Sequence, residues 1–132
     1  SPSVLENVGL APALEFLLQH NASAYKFSAV EDLDEKTKFS PNVQMQIYRI
    51  AQEILTNIKH HSDAKNVEMR AEISSENEFI LTISDDGTPF VPTEKITQGR
   101  GISNIKSRAA LIEAEADWTT TVRAEFSLKK KI

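Results

Sequence analysis

One stretch constrains the fold of this chain more than any other: residues 47–62, IYRIAQEILTNIKHHS. Ile47, Ile50, Ala51, Ile54, Leu55 and Ile58 recur at three- and four-residue steps. That spacing builds one apolar stripe on an α-helix and excludes a strand, whose faces alternate every second residue. Gln52, Thr56 and Lys59 fall on the opposite, solvated side. Glu53, Asn57, His60 and His61 fit neither face. At about 100° per residue they form a second polar stripe flanking the apolar one. A carboxylate, an amide and two imidazoles on the edge of a core face are suited to the wall of a site. A solvated helix shoulder would look the same from this helix alone.

Other elements can be read around that helix. Leu10, Leu14, Leu17 and Leu18 mark a helix over 10–20, with Pro12 tolerated in its first turn and Asn21 at its end. Residues 1–9 read as a proline-punctuated turn. Residues 25–30 alternate weakly, as a short strand does. The charged run 31–38, EDLDEKTK, reads as a solvated loop. Ser40 and Pro41 are cap and first residue of the long helix. Residues 65–73 and 79–83 alternate apolar and polar positions around a turn at 74–77, which predicts an antiparallel hairpin. Residues 84–98 read as loop, with Gly87, Pro89 and Pro92 opposing regular structure. Residues 101–113 predict a helix with Ile102, Ile105, Ala109 and Ile112 inward. Residues 121–128 predict a last strand with Val122, Ala124, Phe126 and Leu128 on one face. Helices on one face of a mixed, mostly antiparallel sheet make a two-layer α/β sandwich.

At 132 residues, 40% hydrophobic and 26% charged, the chain suits a single globular domain, 1–132. A net charge of -4 gives no general attraction to nucleic acid or anionic membrane. There is no cysteine, which excludes disulfides, thiolate chemistry and cysteine-bound zinc. No apolar run reaches the roughly 18–20 residues of a membrane span. Opening on Ser1-Pro2-Ser3 without an initiator Met, the chain reads as an excised C-terminal piece of a longer protein.

Two downstream stretches carry chemistry. Asp85-Asp86-Gly87 follows a strand. A carboxylate there can accept a hydrogen bond from an exocyclic amine, and a glycine lets backbone approach a flat ring. That suits adenine, although Asp-Gly is also a common turn. Gly99-Arg100-Gly101 precedes a helix. Such glycines free N–H groups to face anions beside the positive end of the helix, which suits a triphosphate, with Arg100 adding a cation. A glycine-rich helix entry with no ligand is the bland alternative.

The order of these pieces resembles the histidine-kinase-like ATPase superfamily: an E-x-x-x-N helix, Asp-x-Gly after a hairpin, Gly-x-Gly opening a helix, and a Thr-rich last strand. The wording IYRIAQEILTN...HH, DDGTPF, GRGISNIKSRAALI and TTTVRAEFSL is most similar to two-component sensor kinases of the nitrate-sensor and desaturase-sensor type. SPSVLENVGLAPAL is similar to the segment that follows the phosphoacceptor helices in that group. The likeness runs from Ser1 to Leu128.

The resemblance implies a Bergerat-type ATP-binding fold and transfer of the γ-phosphoryl group of Mg-ATP to a histidine on a separate dimerisation and phosphoacceptor domain. Glu53 would act as general base or orient the attacking group. Asn57 would hold Mg²⁺. His61 would lie near the phosphates or the metal, and His60 stands where the family often has lysine. Asp85 would bind the adenine amine with Gly87 beside the ring. Gly99, Arg100, Gly101 and Ile102 would serve the nucleotide under a lid spanning 89–98. Thr120 or Thr121 would sit near the adenine. A response regulator would act downstream. The isolated chain would be monomeric and the whole protein a homodimer. It would be a cytoplasmic domain, and parents of this kind are often anchored in the inner membrane. His20 reads as a surface or capping residue and not as a phosphoacceptor.

Three departures from the family pattern stand out. Pro89 replaces a second glycine and fixes one backbone angle at the start of the lid. EAEADW, residues 113–118, stands where the family has Gly-Gly. The loop before the last strand is shortened, and Trp118 reads as a core or edge packing residue. Two other readings share the fold: a Ser/Thr kinase of the anti-sigma type, and a binding module that has lost nucleotide.

Overall fold

The computed structural model describes residues 2–89 and 101–132, with side chains from Leu5 onward. The order is α1 (Pro2–Val8), α2 (Leu10–Asn21), β1 (Ala24–Ala29), α3 (Leu33–Thr37), α4 (Pro41–His61), β2 (Asn66–Ile73), β3 (Glu78–Asp85), α5 (Ile102–Leu111), β4 (Glu115–Thr119) and β5 (Ala124–Lys131). The five strands lie in the order β1-β2-β3-β5-β4. β1 runs parallel to β2, and the other pairs are antiparallel. The two-layer sandwich expected from the sequence is the observed fold.

α4 is the spine of the helical layer. Ser40 caps it, its Oγ accepting from the Val43 N–H at 3.2 Å, and Pro41 takes the first turn. Ile47, Tyr48, Ile50, Ala51, Ile54 and Leu55 are buried along its inner stripe. They pack with Leu10, Leu14, Leu17 and Leu18 of α2 and with Ile102, Ile105 and Ala109 of α5. The sheet supplies Val67, Met69 and Ala71 from β2, Phe79, Leu81 and Ile83 from β3, and Phe126 and Leu128 from β5. β3, paired on both sides, is the central strand, and its last residue Asp85 lies opposite Val67 and Ala124.

Several expectations from the sequence are corrected here. Residues 2–8 form α1, not a turn; Leu5 is buried, and Pro2 can open a helix because its missing N–H would have had no partner there. The charged run is not wholly loop. Leu33 and Thr37, one helical turn apart, are buried; the Thr37 Oγ1 donates to the Leu33 carbonyl at 2.9 Å. The run also serves α2, because Asp34 Oδ1 accepts from the Leu10 N–H at 3.4 Å at that helix's N-terminus. β3 extends through Ser84 and Asp85, which were expected in the loop.

β4 was not expected at all. Ala116 and Trp118 are half-buried between exposed Glu115, Asp117 and Thr119, so these residues do alternate. β5 begins at Ala124, and Val122 is 92% exposed. The β4–β5 ladder stops at Thr119 and Glu125 and the β3–β5 ladder at Ala124, so Val122 stands in the turn beyond the core. The turn at 74–77 works without glycine because Asn77 takes a φ of 61°, a conformation asparagine tolerates.

Leu81 on the central strand is fully buried, whereas Leu111 is 70% exposed on α5. Leu81→Ala is expected to lower unfolding stability in urea by about 2–5 kcal/mol. Leu111→Ala should change it by less than about 0.5 kcal/mol. Equal costs would contradict this packing.

Candidate functional site

The ends of α4 and β3 meet beside the start of β5, and a cavity opens between them. It is lined from α4 by Ile54, Asn57, Ile58 and His61, and by Ser62 just after it. The sheet contributes Ile83 and Asp85 from β3, Trp118 from β4, and Ala124, Glu125 and Phe126 from β5, with Thr88 at the loop side. Ile54, Ile58, Ile83, Trp118 and Phe126 make its walls apolar; a few polar groups converge among them, the make-up of a small-molecule site.

Asp85 is 6% exposed. Its Oδ1 accepts from the Gly87 N–H at 2.8 Å and from the Ser62 hydroxyl at 3.4 Å. Burial raises its carboxyl pKa above the ordinary value; those two hydrogen bonds oppose the shift, and the nearby Asp86 and Asp63 charges add to it. A buried acceptor on the last residue of a central strand is held rigidly, as recognition of a donor requires.

Two exposed carboxylates fix the backbone around it. Asp86 Oδ1 accepts from the Lys65 and Asn66 N–H groups at 2.7 and 2.9 Å, and its Oδ2 accepts from Asn66 Nδ2 at 2.8 Å. These bonds favour the charged form, the Asn66 side chain most, and take the Asp86 pKa down to about 2. Asp63 accepts from the Thr88 N–H at 2.7 Å and from its hydroxyl at 3.2 Å, which lowers its pKa as well. Gly87 lies against the segment after α4. A Cβ there would meet Ser62 Oγ and would come within 2.8 Å of the Ala64 nitrogen.

The structure brings Asn57, His61 and Asp85 to one cavity. Glu53, one turn before Asn57, is half-buried and outside that lining. Its carboxylate packs on Gly101, which caps α5 with a φ of 66°. Ile102 is buried in the core. His60 is exposed and does not line the cavity, and Gly87 faces residues 62–64 rather than the cavity. Thr120 and Thr121 are exposed and do not line it. Gly99, Arg100 and all of the expected lid except Pro89 lie outside the described residues. Sequence reading missed Ser62, Asp63 and Asp86 as supports of the site, because each acts through a partner more than 20 residues away in the chain. Trp118 was read as packing alone; the alternation of Ala116 and Trp118 was the signal for its strand.

Asp86 contributes stability that is present above its ordinary pKa of 3.8 and is lost as pH falls towards about 2. A carboxyl titration followed by NMR should place Asp86 near about 2. Asn66→Ala should move that midpoint upward and flatten the stability profile between the two values. An unmoved midpoint would remove Asn66 from this role. Asp85 should titrate above the ordinary carboxyl range, so its ionisation draws on folding stability as pH rises.

No protein-family model matches the chain. It is 26% identical over 135 residues to the signal transduction histidine-protein kinase/phosphatase DegS of Bacillus subtilis, covering 96% of this chain and 34% of DegS. It is 32% identical over 124 residues to the sensor histidine kinase ComP of the same organism, covering 85% of this chain and 15% of ComP. The chain thus spans about a third of DegS and less of ComP. In structure it is similar to the ATP binding domain of PrrB from Mycobacterium tuberculosis, with a TM-score of 0.61 at 17% identity, covering 93% of this chain and 89% of that one. By sequence kinship and by fold, the chain belongs to the histidine-kinase-like ATPase superfamily, among the relatives of the sensor histidine kinases.

Proposed function

We propose that this chain binds Mg-ATP and delivers the γ-phosphoryl group to a histidine on a separate helical phosphoacceptor domain, as a catalytic domain of two-component signalling. The observation that carries this reading is the buried Asp85 carboxylate in an apolar cavity, with Asn57 on the facing helix. An adenine would lie against those apolar walls, and Asp85 would accept from its exocyclic amine. A base without that amine would leave the carboxylate facing no donor, which costs affinity.

Asn57 would offer its amide oxygen to Mg²⁺, an ion that binds few protein ligands and keeps several waters. The single neutral donor suits that preference. Bound there, Mg²⁺ would neutralise charge on the phosphates. Glu53, one turn earlier on α4, would orient the attacking imidazole or take its proton. Gly99, Arg100 and Gly101 would receive the phosphates at the positive end of α5. The chain's own share of the catalysis is positioning and electrostatics, with no covalent intermediate on the protein.

The acceptor would be a histidine of another domain. His20 Nδ1 donates to the Phe16 carbonyl at 2.9 Å, and its ring stacks on Phe16 at 4.0 Å between centroids, so it serves its own helix. A response regulator would take the phosphoryl group onward. Dimerisation would belong to the phosphoacceptor domain, and the site would work on the cytoplasmic side, where ATP is found. Among the described residues no helix is long and apolar enough to cross a membrane, so an anchor would come from elsewhere in the parent.

Calorimetric titration with ATP, with and without Mg²⁺, tests the reading. The intact chain should bind saturably. Asp85→Asn should weaken binding at least tenfold, and Asn57→Ala should remove its Mg²⁺ dependence. No binding at millimolar ATP by the folded chain would leave the nucleotide-free module as the better description.

A further inference from the structure

One wall of the cavity has a role that Asp85 and Asn57 do not supply. Trp118, the only tryptophan in the chain, lines it from the edge strand β4. Its place in the pleat explains its direction. Trp118 lies opposite Phe126 in the β4–β5 ladder, and Phe126 faces the helical core. Paired residues share a face, so the indole also faces the helical layer. Two residues earlier, Ala116 lies opposite the fully buried Leu128. At Trp118 the core gives way to the cavity, and the ring is only half-buried.

Phe126 meets the indole in a tilted, edge-type contact, with centroids 5.1 Å apart and planes at 62°. The remaining ring surface contributes to the cavity, together with Ile54 and Ile58 of α4 and Ile83 of β3. A flat apolar surface beside a buried carboxylate is a two-part receptor. The carboxylate reads an amine, and the ring offers a π-face to any flat base.

We propose that Trp118 is a base-contacting residue that sets affinity for the nucleoside part of the ligand, with Asp85 setting the choice of base. This rests on the adenine-nucleotide reading above. It predicts a division of labour: Trp118 acts on adenosine and ATP alike and leaves binding of the phosphate chain untouched.

The experiment titrates the intact chain with adenosine, ATP and inorganic tripolyphosphate while following tryptophan emission, which reports on Trp118 alone. Adenosine and ATP should change the emission saturably and reduce its collisional quenching by acrylamide; tripolyphosphate should do neither. Trp118→Leu should weaken adenosine and ATP by roughly 10- to 100-fold, and Trp118→Phe should restore most of that loss. Tripolyphosphate affinity should be equal in all three proteins. If Trp118→Leu does not fold, the emission and acrylamide measurements on the intact chain decide. ATP binding that Asp85→Asn weakens, but that leaves emission and acrylamide access unchanged at saturation, would overturn the inference and spare the functional reading. Wild-type affinity in folded Trp118→Leu would do the same. Absence of any nucleotide binding by the intact chain would overturn both.

Discussion

The hydrogen bonds joining the end of α4 to the end of β3 are the constraint on which the candidate site depends. Asp63, Asp85 and Asp86 crowd one corner: the charge of Asp86 raises the proton affinity of Asp63, and both raise that of Asp85. The fold offsets this by turning backbone N–H groups of the opposite segment towards them: Thr88 to Asp63, Lys65 and Asn66 to Asp86. The two exposed carboxylates thereby become fasteners. The third is left buried, with Gly87 and Ser62 as its donors. Water outside Asp63 and Asp86 screens their repulsion, so the cost of crowding falls mainly on Asp85.

That corner exists only because α4 is long enough to reach it. Its 21 residues run from the Ser40 cap past α2 and α5 to His61. At about 1.5 Å per residue that is roughly 30 Å, the width of a small domain. Packing along the first turns therefore positions Asn57 and His61 at the far end. This part was legible, since a six-residue apolar stripe at helical spacing has no other comparable use. The strands β2 and β3 were legible for the matching reason, a clean alternation about a polar turn. Asp85 and Asn57 stood out from their spacing to these elements and from family resemblance, and the structure places both in one cavity.

What stayed hidden was written in pairings between distant residues. The run 31–38 contains one apolar side chain, Leu33, and its ordering comes from burial of that residue with Thr37 and from the contact of Asp34 with α2. Local composition reports none of that. β4 has three polar residues in five and only Ala116 and Trp118 to mark its alternation; it is a strand because β5 offers it an unpaired edge. Val122 fits the alternation of β5 and is nonetheless exposed, since pairing to β4 ends at Glu125 and pairing to β3 ends at Ala124. Alternation reports the face a residue would take if paired, not whether pairing occurs.

The glycines carry a related lesson about motifs. Read along the chain, Gly87 and Gly101 belong to ligand-binding patterns, and their smallness suggests room for a ring or a phosphate. Packing within the chain itself already requires both. At Gly87 a side chain would strike Ser62, Asp63 and Ala64, the segment that carries the clamp. At Gly101 a Cβ would lie 2.8 Å from Cδ of Glu53, and the φ of 66° is one that side chains rarely adopt. Substituting either glycine would disturb packing before any nucleotide was present, so loss of binding in such a variant would not by itself locate a ligand. The contact at Gly101 also joins the proposed base, Glu53, to the start of α5, where phosphates would be received. A shift of α5 towards α4 would therefore press on Glu53, so the carboxylate proposed as the base and the helix end proposed to receive the phosphates are neighbours through this packing.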